Sequence, residues 1–176
     1  MRLLRRDSTI LKALLLAALC FGADAALAEA DAAAVEVLGV CMDGAATADE
    51  GEACIGLLSD QCMDQPDGQT TIGMTQCAQS ETEAWDVLLN SEYKAARAWT
   101  KAADEGETAE PQMFAVRADE LLAAQRAWIA FRDANCRAAN GIYGSGSMRN
   151  IAGSQCKLRM TAKRAIELRM LYNYDR

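Results

Sequence analysis

The chain has 176 residues, 51% hydrophobic and 24% charged, with 18 Lys+Arg against 25 Asp+Glu and no histidine. That length suits one ordinary globular domain, and the missing histidine removes His-based acid/base catalysis, Ser-His-Asp and Cys-His nucleophiles and His-ligated zinc together. Two prolines and 6% aromatic residues argue against a β-sandwich, which needs frequent turns.

The first residues read as an export address. Arg2, Arg5, Arg6 and Lys12 form a basic start, Ala13 to Phe21 is an apolar run of nine residues, and the small-x-small sites Ala23-Asp24-Ala25 and Ala26-Leu27-Ala28 follow. This is the layout of a signal peptide, and the run is too short for a membrane span, which takes about 20 residues. Arg5-Arg6 raises twin-arginine export, but Asp7-Ser8-Thr9 fits that signal poorly. Leu19 before Cys20 is wrong for a lipobox, so Cys20 reads as a bystander lost with the signal. Cleavage after Ala28 leaves 148 residues with 14 basic and 23 acidic side chains, a net of −9. Such a surface repels nucleic acid and anionic lipid and attracts a basic partner.

Six cysteines then remain: Cys41, Cys54, Cys62, Cys77, Cys136 and Cys156. An even number in an exported chain reads as disulfides, with many pairings open. Cys41-Met42-Asp43 recurs as Cys62-Met63-Asp64, and each copy runs through a polar, Gly-containing stretch to another cysteine. The repeat favours two locally closed units, Cys41–Cys54 and Cys62–Cys77, leaving Cys136–Cys156. Loops of this size contribute on the order of 3 kcal/mol each in the chain-entropy model. Cys and Met together also suit Cu(I), but without C-x-x-C, M-x-x-M or histidine spacing no metal or cofactor is expected.

In chain order, Ala32 to Met42 is Ala-rich with four larger apolar residues and predicts a short helix; Gly44 to Gly51 is a polar break. Glu52 to Met63 predicts a second short helix, and Asp64 to Gly68 a turn. A long helix starts at Thr70 or Thr71, either able to cap it. Trp85, Leu88, Leu89, Ala96 and Trp99 recur at helical offsets, and the helix should fade near Ala103. Asp104 to Glu110 is an acidic loop, and Pro111 suits the first turn of a helix over 111–139. There Phe114, Ala118, Leu121, Leu122, Gln125, Trp128, Ile129, Arg132 and Cys136 share a stripe of about 120°. Gln125 and Arg132 lie at its centre and need partners; Glu81, Glu83, Asp86 and Glu92 on the preceding helix are candidates. Asn140 to Asn150 is a Gly/Ser loop without phosphate-binding spacing. Ile151 to Tyr172 is the last helix, with Asn173 to Arg176 frayed. The expected fold is all-α, a disulfide-stapled antiparallel helical hairpin or irregular bundle of three long and two short helices.

The stretch Gln125-x-x-Trp128-x-x-Phe131-Arg132-Asp133-x-x-Cys136 resembles the signature of the LprI-like lysozyme-inhibitor family. Thr71-x-x-Met74-x-x-Cys77 resembles its helix start, and Gly146-Ser147, Cys156, Thr161, Arg164 and Leu168 its C-terminal half. The resemblance covers about 71–168 and implies an all-helical protein of the bacterial envelope, periplasmic or secreted. It divides the chain into a signal peptide (1–28), a short helical N-terminal extension (29–69) and the family's domain (70–176).

The helical spacing places Trp85, Trp128 and Phe131 in the core rather than on a binding surface. The loop offers Ile142, Tyr143, Ser145, Ser147, Met148 and Arg149 as candidate contacts. If Cys136–Cys156 closes it, the loop is held at both ends, which lowers the entropy cost of binding. Three functions follow. The first, implied by the resemblance, is a non-enzymatic inhibitor blocking the cleft of a basic lysozyme-type enzyme. The second is an envelope adaptor using the same loop or the acidic surface. The third is a carboxylate glycosidase, disfavoured because no acidic pair stands out by spacing.

Overall fold

A computed structural model describes residues 32–108 and 111–173. The expected signal peptide and Cys20 lie outside the described residues, as do residues 174–176. By internal contacts the chain divides at residue 33, and the fold described below is the unit 34–176. The described residues contain helices and no strand. They are α1 (residues 32–43), α2 (Ala48–Glu52), α3 (Leu57–Met63), α4 (Thr71–Glu105), α5 (Pro111–Phe114), α6 (Arg117–Gly141) and α7 (Met148–Asn173).

The three long helices run up, down and up. Arg97 Nη1 donates to Ala118 O, which sets α4 antiparallel to α6. Gln125 meets Arg164 and Asn140 meets Arg149, which sets α6 antiparallel to α7. Thus α4 and α7 are parallel and form the central pair. Trp85, Leu89 and Ala96 of α4 and Leu158, Ala162, Ala165, Ile166 and Leu168 of α7 build the core with Leu38, Met42 and Cys54 of the N-terminal segment. Gly51 lets α2 approach closely: a Cβ there would lie 3.1 Å from Ile166 Cγ2. Lys163 pairs with Glu52 at 2.7 Å and Arg169 with Asp43 at 2.6 Å, both near the surface, where such pairs contribute little individually.

Disulfides join Cys41 to Cys54, Cys62 to Cys77 and Cys136 to Cys156, the three pairs that the local repeat favours. The first two staple the short helices; the third ties α6 to α7.

The helix boundaries differ from the sequence expectation in four places, each with a local cause. First, the segment expected as one helix over Glu52–Met63 is two. Thr47 and Glu50 form a capping box that starts α2 at Ala48, inside the expected break. Gly56, at φ +98°, then turns the chain in the left-handed region that favours glycine. Second, α4 is capped by Thr70, whose Oγ1 accepts from Gly73 N at 3.0 Å, and it runs on to Glu105. Third, the helix expected over 111–139 is interrupted after Phe114. The Asp104 carboxylate accepts from Arg117 N at 3.1 Å and Ala118 N at 2.9 Å, so a new helix begins there. Fourth, α6 continues through Gly141 and α7 begins at Met148, so the loop is 142–147 rather than 140–150. Four short helices therefore accompany the three long ones among the described residues, rather than two.

Candidate functional site

The residues of the Gln125–Cys136 motif converge on the seam between α6 and α7. Gln125 is buried, and its Oε1 accepts from Arg164 Nε at 2.9 Å. Two guanidiniums lie over the Trp128 ring, with Arg132 Cζ 5.1 Å and Arg164 Cζ 5.9 Å from its centroid. That distance allows cation–π attraction. Arg132 Nε donates to Asp133 Oδ1 at 3.0 Å, and its Nη1 lies 3.5 Å from buried Thr161 Oγ1 and 3.7 Å from Asp86 Oδ1. Cys136 closes the seam covalently with Cys156. Most of these side chains hold two helices together: a polar stripe on α6 meets the polar residues Thr161 and Arg164 of α7.

Of the four carboxylates considered for Arg132, Asp86 is the one that reaches it. Glu81 is turned the other way, accepting from the backbone of α3 and from Trp85 Nε1 at 2.9 Å. Glu92 pairs with Arg169 at 3.4 Å and accepts from Tyr172 Oη. The expected aromatic core is also corrected. Trp85 is fully buried and Trp128 packs partly against the core, but Phe131 is 60% exposed. Phe114 and Ile129, both within the expected stripe, are exposed as well. The reason is that Phe131 lies about 120° around α6 from Gln125, beyond the stripe that meets α7 and α4, and that Phe114 belongs to the separate helix α5.

The α6–α7 tip stands clear of the core. Residues 141–150 are all exposed, Ile142 by 81%, with Tyr143 and Met148 about half exposed. Met148 and Arg149 belong to the first turn of α7, whereas Ile142, Tyr143, Ser145 and Ser147 lie in the loop. The loop is a series of turns: Gly144 N donates to Gly141 O at 3.0 Å, Gly146 N to Tyr143 O at 2.8 Å and Arg149 N to Gly146 O at 3.2 Å. Gly144 takes φ +53°. At its base Asn140 and Arg149 clasp each other: Arg149 Nε donates to Asn140 Oδ1 at 3.1 Å and Asn140 Nδ2 to Arg149 O at 3.0 Å. Asn140 was not among the candidate residues, because an Asn before a Gly reads only as a helix end.

Beside the tip, α6 diverges from α4 and leaves an open cleft of about 1470 Å³ between α4, α6 and α7. Arg132, Asp133 and Cys136 line it from α6, and Thr75, Gln79, Thr82, Glu83 and Asp86 face them from α4. This α4 wall was missed, although its residues fall at helical offsets of 4, 7, 8 and 11 from Thr75, a polar stripe as regular as the apolar one. Among the described residues no group of three or more Cys, Asp or Glu side chains is placed to hold a metal ion. No helix among them is long and apolar enough to cross a membrane.

A similar protein from Rhizobium meliloti (strain 1021), itself described as uncharacterized, is 35% identical over 95 residues, covering 54% of this chain and 68% of the relative. No solved structure matches. The family profile described as Lysozyme inhibitor LprI matches residues 62–168, a span that opens at the Cys62–Cys77 disulfide and takes in the whole α6–α7 seam. The chain belongs to the LprI family.

Proposed function

We propose that the protein is an exported, non-enzymatic inhibitor of lysozyme-type muramidases that inserts the α6–α7 tip into the enzyme's substrate cleft. The observation that carries this reading is the tip itself. Ile142 and Tyr143 present apolar surface to solvent on a loop fixed by its own turns, by the Asn140–Arg149 clasp and by the Cys136–Cys156 bond. Exposed apolar side chains on a pre-ordered projection bind at low entropic cost. Arg149 is the one charged residue between Gly141 and Asn150, and a glycosidase cleft carries two carboxylates for it to meet. The acidic balance of the chain steers it toward a basic enzyme. Three disulfides suit an oxidising compartment, consistent with removal of residues 1–28 on export to the periplasm or beyond.

The test is lysis of cell walls by a basic lysozyme, with the oxidised protein titrated at low and at physiological salt. Stoichiometric inhibition that weakens with salt, and is lost when residues 142–147 become Gly/Ser, supports the reading. No inhibition at large molar excess overturns it and favours an envelope adaptor using the same exposed tip. A neutral muramidase inhibited equally well would remove the steering argument alone.

A further inference from the structure

Helix α6 meets α4 and α7 through Ala118, Gln125, Arg132 and Cys136. On its opposite side Ala123, Ala127, Ala130, Ala134 and Ala138 fall within about 80° of one another, and all five are exposed. Helix propensity alone accounts for exposed alanines; the residues on either side of them point to a partner. One flank carries Asp119, Arg126, Asp133 and Arg137 within about 40° of one another, so charge alternates along it. Asp119, Arg126 and Arg137 have no ion-pair partner among the described residues, and the Asp133 side chain stays 39% exposed beside Arg132. The other flank carries Phe131, 60% exposed, with Ala124 one heptad before it.

We propose that a second copy of this chain covers this face, α6 against α6 in antiparallel pairing. A two-fold axis then sets each flank against its own counterpart in reverse order. With the axis between Trp128 and Ile129, Asp119 stands nearly level with Arg137 of the second copy, and Arg126 within one turn of Asp133 of the second copy. Each pair occurs twice, so the charged flank complements itself. On the other flank Phe131 meets Ala124 and Ala127 of the second copy, whose small side chains leave room for the ring. Parallel pairing offers neither match, because it sets the charged flank of one copy against the Phe131 flank of the other. The alanines let the helix axes approach to about 8 Å. From Asp119 to Arg137 the face is about 27 Å long and buries on the order of 1,000 Å² in total, the low end for a specific contact, so association is weak and reversible. The two tips point in opposite directions and stay free, so the contact does not depend on muramidase inhibition.

The test is sedimentation equilibrium of the oxidised protein from about 5 to 500 μM, at low and at physiological salt, concentrations chosen to bracket a weak interface of this size. The expected result is a monomer–dimer equilibrium that weakens as salt rises. Ala127→Glu, at the centre of the seam, should weaken the dimer tenfold or more, and Phe131→Ala several-fold, while both variants unfold like the parent at low micromolar concentration. Charge reversal tests the direction of pairing. Asp119→Arg and Arg137→Glu should each weaken the dimer, and the two together in one chain should restore it. A monomer throughout the range, or a dimer unchanged by Ala127→Glu, overturns the proposal. A double reversal weaker than either single one overturns the antiparallel register. A monomer that binds phospholipid vesicles, and loses that binding in Ala127→Glu, gives the face to a membrane surface and overturns the proposal as well.

Discussion

The carboxylate of Glu81 lies 2.6 Å from the backbone nitrogen of Ser59, across 22 residues of sequence. Its two oxygens also accept from Gly56 N at 2.8 Å and Leu58 N at 3.1 Å. A buried side chain of the long central helix thus caps the N-terminus of a short helix in the disulfide-bonded segment. The arrangement joins three favourable effects: three orphan N–H groups gain an acceptor, the charge sits at the positive end of a helix, and Trp85 Nε1 is satisfied in the core.

Glu81→Ala should therefore destabilise the protein by about 3 kcal/mol, because buried donors lose their acceptor. Glu81→Gln keeps one acceptor oxygen and should cost about half as much. Denaturant unfolding measures both, with the Cys41–Cys54 and Cys62–Cys77 bonds intact. A loss below about 0.5 kcal/mol in the Ala variant, the range of an ordinary surface change, would show that the contact does not anchor α3.

This anchor also shows where the sequence was silent. Helical period placed the three long helices, because apolar residues such as Trp85, Leu89 and Ala96 must share the face that meets the core. It also exposed the odd pair Gln125 and Arg132, whose position at the centre of an apolar stripe demanded partners. It could not say that Glu81 would turn toward Gly56 while Asp86 turned toward Arg132. Those choices depend on which side of α4 each neighbour occupies, and that is set by packing across distant segments. The break at Gly56 and the restart at Arg117 share that origin: each helix start is fixed by a carboxylate on α4.

Gly73 makes a second prediction, in which two opposing magnitudes decide the sign. Alanine in place of glycine inside a helix ordinarily gains about 1 kcal/mol. Here a Cβ would stand 2.1 Å from Asp67 O and 2.7 Å from Gly68 O. Both are backbone atoms of a tight turn, with Asp67 at φ +64°, and cannot swing aside as a side chain would. Gly73→Ala should therefore destabilise by about 2 kcal/mol, as overpacking does. An unchanged or raised melting temperature would show that the turn yields freely.

Asp104 predicts a pH dependence. Loss of solvent pushes its carboxyl up, but hydrogen bonds from Ala118 N, the Arg117 side chain and Arg117 N, with the Arg117 charge, outweigh that and hold it below the ordinary carboxylate range. A carboxyl depressed in the folded state stabilises the fold above its unfolded value, near 3.8. That contribution disappears as pH falls through the lower folded value. The stability gap between the protein and Asp104→Asn should thus be full at pH 7 and close in acid below the ordinary range. Unfolding curves at several pH values measure it. A gap that persists unchanged into strong acid would show that the carboxylate charge is not the source and that the difference in capping geometry is.

Trp128 and Phe131 separate the structural from the functional content of the family motif. Trp128 packs against the core edge beneath two guanidiniums, so Trp128→Ala should cost about 3 kcal/mol or more through lost packing and cation–π contact. Phe131 is 60% exposed on the outer side of α6, so Phe131→Ala should change stability by less than about 0.5 kcal/mol. An exposed aromatic with so small a structural role is suited to anchor a partner. If the surface that meets a muramidase extends from the tip along α6, Phe131→Ala should weaken inhibition several-fold while melting like the parent protein. If inhibition is untouched, the contact surface ends at the tip, and the aromatic at this motif position acts elsewhere. A large loss of stability would instead place Phe131 in an inward packing role that its exposure argues against.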